Sequence, residues 1–320
     1  MNNSYGIHHI SAIVSDPQKN VDFYAGVLGL RMVKKTVNFD DPYTYHLYFG
    51  NYEGGPGTLI TFFPWPLGLK GKVGGGQVIS VQYKIPVNAM EFWKSRLKSF
   101  DINFKTEKRF NQTYLVFQDN DGLIIELTES EKGQLNRYSF NGITENEAIK
   151  GFEGATLASR NPLKSVHVLT EYLGFKVDTE SDNRIRLITQ NVLGNVIEIF
   201  KIEESLGKMG VGTIHHIAFR TSSEDSQKTV RELLLSKGYK ITPIIDRNYF
   251  KSVYFREPGS ILFEIATDEP GFTIDEPIEH LGASLKIPKH HQALKDEIEN
   301  HLLPITVREV KANEFNHKSK

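Results

Sequence analysis

The sequence contains no cysteine. That absence removes disulfides and thiolate ligands together, so a transition metal would have to sit on histidine, aspartate and glutamate. Charge of one sign is also missing: 38 Lys and Arg stand against 39 Asp and Glu, mixed along the chain. A net charge of −1 offers no electrostatic footprint for nucleic acid or an anionic membrane surface. No apolar run approaches the roughly 20 residues that a membrane span needs. The opening MNNSYG lacks the basic start and apolar segment of a secretory signal, and the expectation is a cytoplasmic protein. The 320 residues are long for one domain and comfortable for two.

What the chain does have is repetition. The segment VSDPQKNVDFYAGVLGLRMV matches ASRNPLKSVHVLTEYLGFKV at one constant offset, placing Pro17 on Pro162, Val21 on Val166, Leu28 on Leu173 and Gly29 on Gly174. Each copy reads as a strand, a proline, an amphipathic helix and a closing glycine. A weaker echo relates residues 78–104 to 216–242. Similar final strands follow at GPGTLITFF, DGLIIELTE, LGNVIEIF and EPGSILFEIAT. The pattern predicts four βαβββ modules at 5–66, 78–129, 151–201 and 212–268. Chain order groups them as 5–129 and 151–268, with glycine-rich and polar connectors at 68–77 and 129–150. Residues 269–320 form a tail with one helix near 289–302, after Pro288. The fold class is α+β, its modules pairing into two curved, partly closed β-barrels whose concave face can hold a metal and a substrate.

The modules interpret the histidines. The adjacent pair in GIHHISAIV and in TIHHIAFRT occurs only in modules one and four, because the repeat offset places Gly154 where His9 stands and about Val78 in module two. The final strands carry Glu126, Glu198 and Glu264, whereas module one has Thr61 or Phe62. Only Glu264 shares a module with a first-strand histidine. A site between modules one and four would offer His9, His216 and Glu264, the two-histidine, one-carboxylate set of non-haem Fe(II) oxygenases. Strand alternation places Ile10, Ala12 and Val14 towards the helices, so His9 and Ser11 face the concave side and the same parity selects His216. His8 and His215 become neighbours of the site. Glu126 and Glu198 read as solvated or salt-bridged groups, His290 and His291 as solvent-facing, and Arg256 and Glu257 as turn residues. His46 is a competitor whose module-four counterpart is Ser252.

The four modules and the opening HHISAIVSD with FYAGVLGL resemble the vicinal oxygen chelate superfamily of glyoxalases, bleomycin resistance proteins and extradiol dioxygenases. MVKKTVNFDDPYTYHLYFGNYEGGPGTLITFFP, TIHHIAF and DRNYFKSVYFREPGSILFEIATDEPGF resemble its hydroquinone-type ring-cleaving dioxygenase branch. The resemblance implies Fe(II) on His9, His216 and Glu264, with Mn(II) as the alternative metal. It implies His8, Ser11, His215, Arg247 and Tyr254 around them, and a small aromatic diol and O2 as substrates. Arg247 and Tyr254 read equally as a structural salt bridge and a packed strand aromatic. A glyoxalase-like isomerase typically takes four protein ligands, against which the module-one Thr61 or Phe62 argues. An antibiotic-epoxide thiol transferase shares the ligand set but typically has only two modules per chain. A metal-free binding protein has no need of both histidine pairs. The sequence admits a homo-oligomer.

Overall fold

The computed structural model describes residues 6–201 and 205–311; residue 5 of the expected first module and residues 312–320 of the expected tail lie outside the described residues. The first module runs β1 (Ile7–Val14), α1 (Pro17–Val21), β2 (Arg31–Val37), β3 (Tyr45–Gly50) and β4 (Leu59–Pro64). The second has β5 (Gln77–Ile85), α2 (Met90–Ser99), β6 (Phe104–Arg109), β7 (Gln112–Gln118) and β8 (Ile124–Glu129). The third has β9 (Gly151–Ala158), α3 (Pro162–Tyr172), β10 (Lys176–Glu180), β11 (Arg184–Ile188) and β12 (Val196–Phe200). The fourth has β13 (Thr213–Thr221), α4 (Glu224–Ser236), β14 (Ile245–Asp246), β15 (Phe250–Arg256) and β16 (Leu262–Pro270).

The repeated sequence signals act as local physics requires. Asp16 accepts a hydrogen bond from the Lys19 amide at 2.8 Å, and Pro17 fills a first-turn position whose N–H would have no helical partner. Asn161 and Pro162 repeat the arrangement in module three. Gly29 and Gly174 close these segments at φ 66° and 71°, a conformation that glycine adopts without steric cost. One difference from the expected regular helix is that α1 widens into a π-helical stretch over Asp22–Val27. That stretch buries Phe23, Tyr24 and Val27 in the main core.

With a short tail strand, β17 (Leu285–Lys286), the sheets follow the order β14-β15-β16-β13-β1-β4-β3-β2-β17 and β10-β11-β12-β9-β5-β8-β7-β6, both curled and one a half-barrel. Modules one and four therefore share a sheet, and modules two and three share the other. The chain-order grouping into 5–129 and 151–268 is not the grouping of the sheets. The reason lies in the first strands. IHHISAIV is buried along its whole length, so β1 needs a neighbour on each edge and cover on each face. It pairs in parallel with β4 of its own module and antiparallel with β13 across the chain. β5 and β9 form the equivalent junction of the second sheet.

The tail adds β17 (Leu285–Lys286) in parallel to the β2 edge. Its expected helix begins after Pro288 as a 3-10 stretch, Lys289–Leu294, and becomes α-helical only over Lys295–His301 (α5). Among the described residues no helix is long and apolar enough to cross a membrane.

Candidate metal centre

The doubled histidines have a backbone cause. Along the β1–β13 junction Ile7 faces Phe219 and His9 faces Ala218, so His8 is an extra residue on β1. Ser11 faces His216 and Ala12 faces Ile214, so His215 is an extra residue on β13. Each pair thus straddles a β-bulge, where two residues of one strand oppose one of its partner. The bulges interrupt strict alternation at His8 and His215 while the parity of His9, Ser11 and His216 is kept, so the two extra histidines stand beside the site as its neighbours. His8 Nδ1 lies 3.0 Å from His9 Nδ1, and His215 Nδ1 lies 2.7 Å from His216 Nδ1.

His9, His216 and Glu264 come together as a buried triad whose ligand atoms lie within 4.8 Å of one another and could hold a metal ion. Glu264 Oε2 is 2.9 Å from His216 Nε2 and 3.3 Å from His9 Nε2. Burial pushes the Glu264 carboxyl up, but the pull of His9 and His216 holds it well below the usual carboxylate range. Burial lowers His216, and Glu264 offsets this only in part. A neutral imidazole beside an ionised carboxylate is the state in which both can ligate a divalent cation. Glu264 Oε2 is fully buried and, among the described residues, receives no well-directed hydrogen bond. A cation drawn to two imidazole nitrogens and this oxygen would satisfy it, so the donor set fits a transition metal.

Register fixes the fourth corner. Glu264 lies opposite Tyr254 on β15 and Ala218 on β13, while Thr61 lies opposite Tyr48 on β3 and Ser11 on β1. Thr61, not Phe62, is therefore the counterpart of Glu264. Its hydroxyl is engaged with Ser11 Oγ at 2.7 Å and His46 Nε2 at 2.9 Å. On the other side Ser252, noticed in the sequence only as the counterpart of His46, donates to Glu264 Oε1. It fixes the carboxylate from behind. Ser252→Ala is expected to weaken metal affinity about 10–100-fold with the fold unchanged, read by chelator competition. Unchanged affinity would remove that role.

The triad opens onto a cavity of about 310 Å³ with Tyr48, Phe63, Trp65 and Phe250 among its walls. Arg247, Tyr254, His215 and His46 also reach it. Arg247 pairs with Asp40 at 3.1 Å, and its guanidinium carbon lies 5.1 Å and 5.4 Å from the ring centres of Phe39 and Tyr254. The salt-bridge reading of Arg247 and its placement at the cavity hold together. Burial and the Glu264 charge raise the Tyr254 phenol, so it stays protonated. Burial and His216 push His215 down to about 3. His8 is buried behind His9, and Ser11, also buried, is linked to the cavity wall through Thr61 and His46. The tail histidines are not simply solvent-facing: His290 and His291 both reach the Phe39 carbonyl, at 3.1 and 3.0 Å. Glu257 is a buried turn cap, accepting from the Gly259 and Ile261 amides.

The second sheet shows what became of the equivalent place. Ser80 faces Thr156 as His216 faces Ser11, so Ser80 rather than Val78 is the module-two counterpart, and Gly154 holds the His9 position. Glu126 and Glu198 occupy the two carboxylate corners. Arg109 spans them, bonded to Glu126 and, through Nε at 2.8 Å, to Glu198, which also meets Arg184 at 2.8 Å. Both carboxylates are salt-bridged, and neither is solvated.

The chain matches the model of the Glyoxalase/Bleomycin resistance protein/Dioxygenase superfamily over residues 6–127 and 152–265. It is 48% identical over 305 residues to MhqO of Bacillus subtilis, provisionally named a ring-cleaving dioxygenase, covering 95% of this chain and 98% of that one. It is 33% identical over 305 residues to a chlorohydroquinone/hydroquinone 1,2-dioxygenase of Sphingobium indicum, covering 92% of this chain and 94% of that one. A crystal structure of a provisionally named dioxygenase from Bacillus subtilis superposes with a TM-score of 0.95 at 47% identity, over 97% of this chain and 100% of that one. Maize glyoxalase I, at 16% identity and a TM-score of 0.61 over 87% of this chain and 96% of that one, shares the fold.

Proposed function

Because the chain belongs to the Glyoxalase/Bleomycin resistance protein/Dioxygenase superfamily, we propose that it is a ring-cleaving dioxygenase opening a hydroquinone- or catechol-type diol, with Fe(II) on His9, His216 and Glu264. Mn(II) is the alternative metal. The observation that carries this reading is a buried two-histidine, one-carboxylate triad with a non-ligating Thr61 at the fourth corner, facing an aromatic-walled cavity. Three protein ligands leave positions free. When bound there, the metal would supply a redox-active centre at which an aromatic oxygen and O2 can meet. The names of the relatives support the same class of reaction.

The protein's own residues have separable tasks in this reading. Phe63, Phe250 and Leu262 present apolar surface that holds a ring and excludes water. His8 and His215 fix the orientation of His9 and His216 through their Nδ1 contacts. Ser11 and Thr61 anchor the non-ligating corner. Tyr254, as a neutral phenol, and Arg247 present a donor and a positive charge to negative charge developing on the ring oxygens. The test is labelled oxygen: the Fe(II)-loaded protein turning over a hydroquinone or catechol under 18O2 should place both atoms in the ring-opened product. Tyr254→Phe should lower turnover by about 10²-fold or more with metal content unchanged. Absence of label from every diol tried would leave the field to an isomerase or a binding protein.

A further inference from the structure

Tyr48 is the counterpart of Tyr254 across the approximate twofold relation between modules one and four. Each tyrosine lies opposite a corner of the site, Tyr254 opposite Glu264 and Tyr48 opposite Thr61. On the Tyr48 side a continuous hydrogen-bonded chain runs through the protein. Tyr48 Oη meets His46 Nδ1 at 2.9 Å, His46 Nε2 meets Thr61 Oγ1 at 2.9 Å, and Thr61 Oγ1 meets Ser11 Oγ at 2.7 Å. The His46 ring is further fixed by Phe63, 4.3 Å away between centroids. Tyr48 and His46 line the same cavity as His9 and His216.

Hydrogen-bonding capacity separates the two residues. A neutral imidazole has one donor and one acceptor, and both ring nitrogens of His46 are already engaged. A phenol has one donor and two acceptor positions, and Tyr48 Oη spends only one of these on His46. Whichever nitrogen of His46 carries the hydrogen, Tyr48 keeps a function for a ligand. It accepts from a ligand hydroxyl when it donates to Nδ1, and it donates to a ligand oxygen when Nδ1 donates to it. The two oxygens of an ortho-diol are neighbours and can both lie at the metal. The second oxygen of a para-diol is carried to the far side of the ring and needs a partner from the protein.

We propose that Tyr48 binds the metal-remote oxygen of a para-diol, and that His46 is the positioning residue that orients the Tyr48 hydroxyl. This rests on the dioxygenase reading of the site and narrows it to substrates whose two oxygens lie across the ring. The geometry gives the two tyrosines different partners: Tyr254 stands with Arg247 beside Glu264, and Tyr48 stands with His46 beside the corner that takes no metal. Tyr48 packs among Val33, Leu59, Phe250 and Phe272, where phenylalanine fits the same space.

The experiment is anaerobic calorimetry of hydroquinone, catechol and phenol binding to the Fe(II)-loaded protein. Hydroquinone should bind about ten-fold more tightly than phenol, the effect of one well-made hydrogen bond. Tyr48→Phe should bring hydroquinone to the affinity of phenol while leaving phenol and catechol unchanged. His46→Leu should do the same, and His46→Gln, which retains a donor and an acceptor, should restore part of the preference. An equal loss for all three ligands, or a hydroquinone preference that survives Tyr48→Phe, overturns the inference alone. Failure of the unmutated protein to bind any of the three overturns it together with the dioxygenase reading.

Discussion

Alanine in place of His9, His216 or Glu264 is expected to abolish both tight metal binding and turnover while leaving the fold in place. Each change removes one of three converging donors, and a divalent ion held by two protein groups exchanges readily with solvent and chelator. The fold survives because these side chains stand on the concave face, whereas Ile10, Ala12, Ile217 and Phe263 build the core from the opposite faces of the same strands. Glu264→Ala also removes a buried charge whose partners are imidazoles able to remain neutral. Metal content by atomic spectroscopy, thermal unfolding and turnover measured together decide the matter. Full retention of metal by any two of the three variants would end the triad assignment. His8→Ala and His215→Ala are the contrast, expected to retain metal with affinity weakened about 10–100-fold rather than abolished, because each acts only through its neighbour's Nδ1.

Loss of the Arg109 guanidinium is expected to produce the largest stability defect outside the metal centre. Arg109→Ala leaves Glu126 and Glu198 buried together, with Arg184 still paired to Glu198 and no cation on Glu126. Breaking a buried ionic group by removing one partner costs about 3–5 kcal/mol. In the native protein burial acts to lower the Arg109 pKa, yet Glu126 and Glu198 hold it above its ordinary value. The variant should also acquire a distinctive pH response. Glu126, already pushed up by burial and then without the Arg109 charge that offsets it, binds a proton more readily in the folded than in the unfolded chain, so stability should fall as pH rises from mild acid to neutrality. Metal affinity should not change, since Arg109 belongs to the other sheet. Joint replacement of Arg109 and Glu126 by apolar residues of similar volume, with Glu198 left to Arg184, should recover most of the loss. Thermal unfolding of Arg109→Ala at neutral pH that matches the unmutated chain would show that the cluster is not holding the sheet.

The candidate metal ligands were legible in the sequence because duplication supplies an internal control. His9 and His216 stand out against Gly154, and Glu264 stands out against the other strand-end glutamates once its module is known to hold a histidine. What could not be read was register. The bulges at His8 and His215 arise from pairing between strands some two hundred residues apart, and a period of two carries no mark of them. The same limit hid Ser252 and Tyr48, which matter through what lies opposite them. It also displaced the module-two counterpart from Ser80 to Val78. The nesting of modules one with four was implied by the histidines but obscured by chain order. The salt-bridged state of Glu126 and Glu198 depends on Arg109, which sits at the end of a strand with no fully buried residue and so carries no core pattern to draw attention to it.

The nesting of the modules has a consequence for the order in which the protein is made. His9 leaves the ribosome among the first residues, yet His216 and Glu264 follow only after two complete modules have intervened. The inner sheet can assemble from modules two and three while β1 still lacks its partner β13. A chain interrupted before Glu264 carries at most the two histidines of the triad and no carboxylate to join them. A complete triad would therefore be withheld from every chain that stops short of the last module and formed only when that module closes on the first.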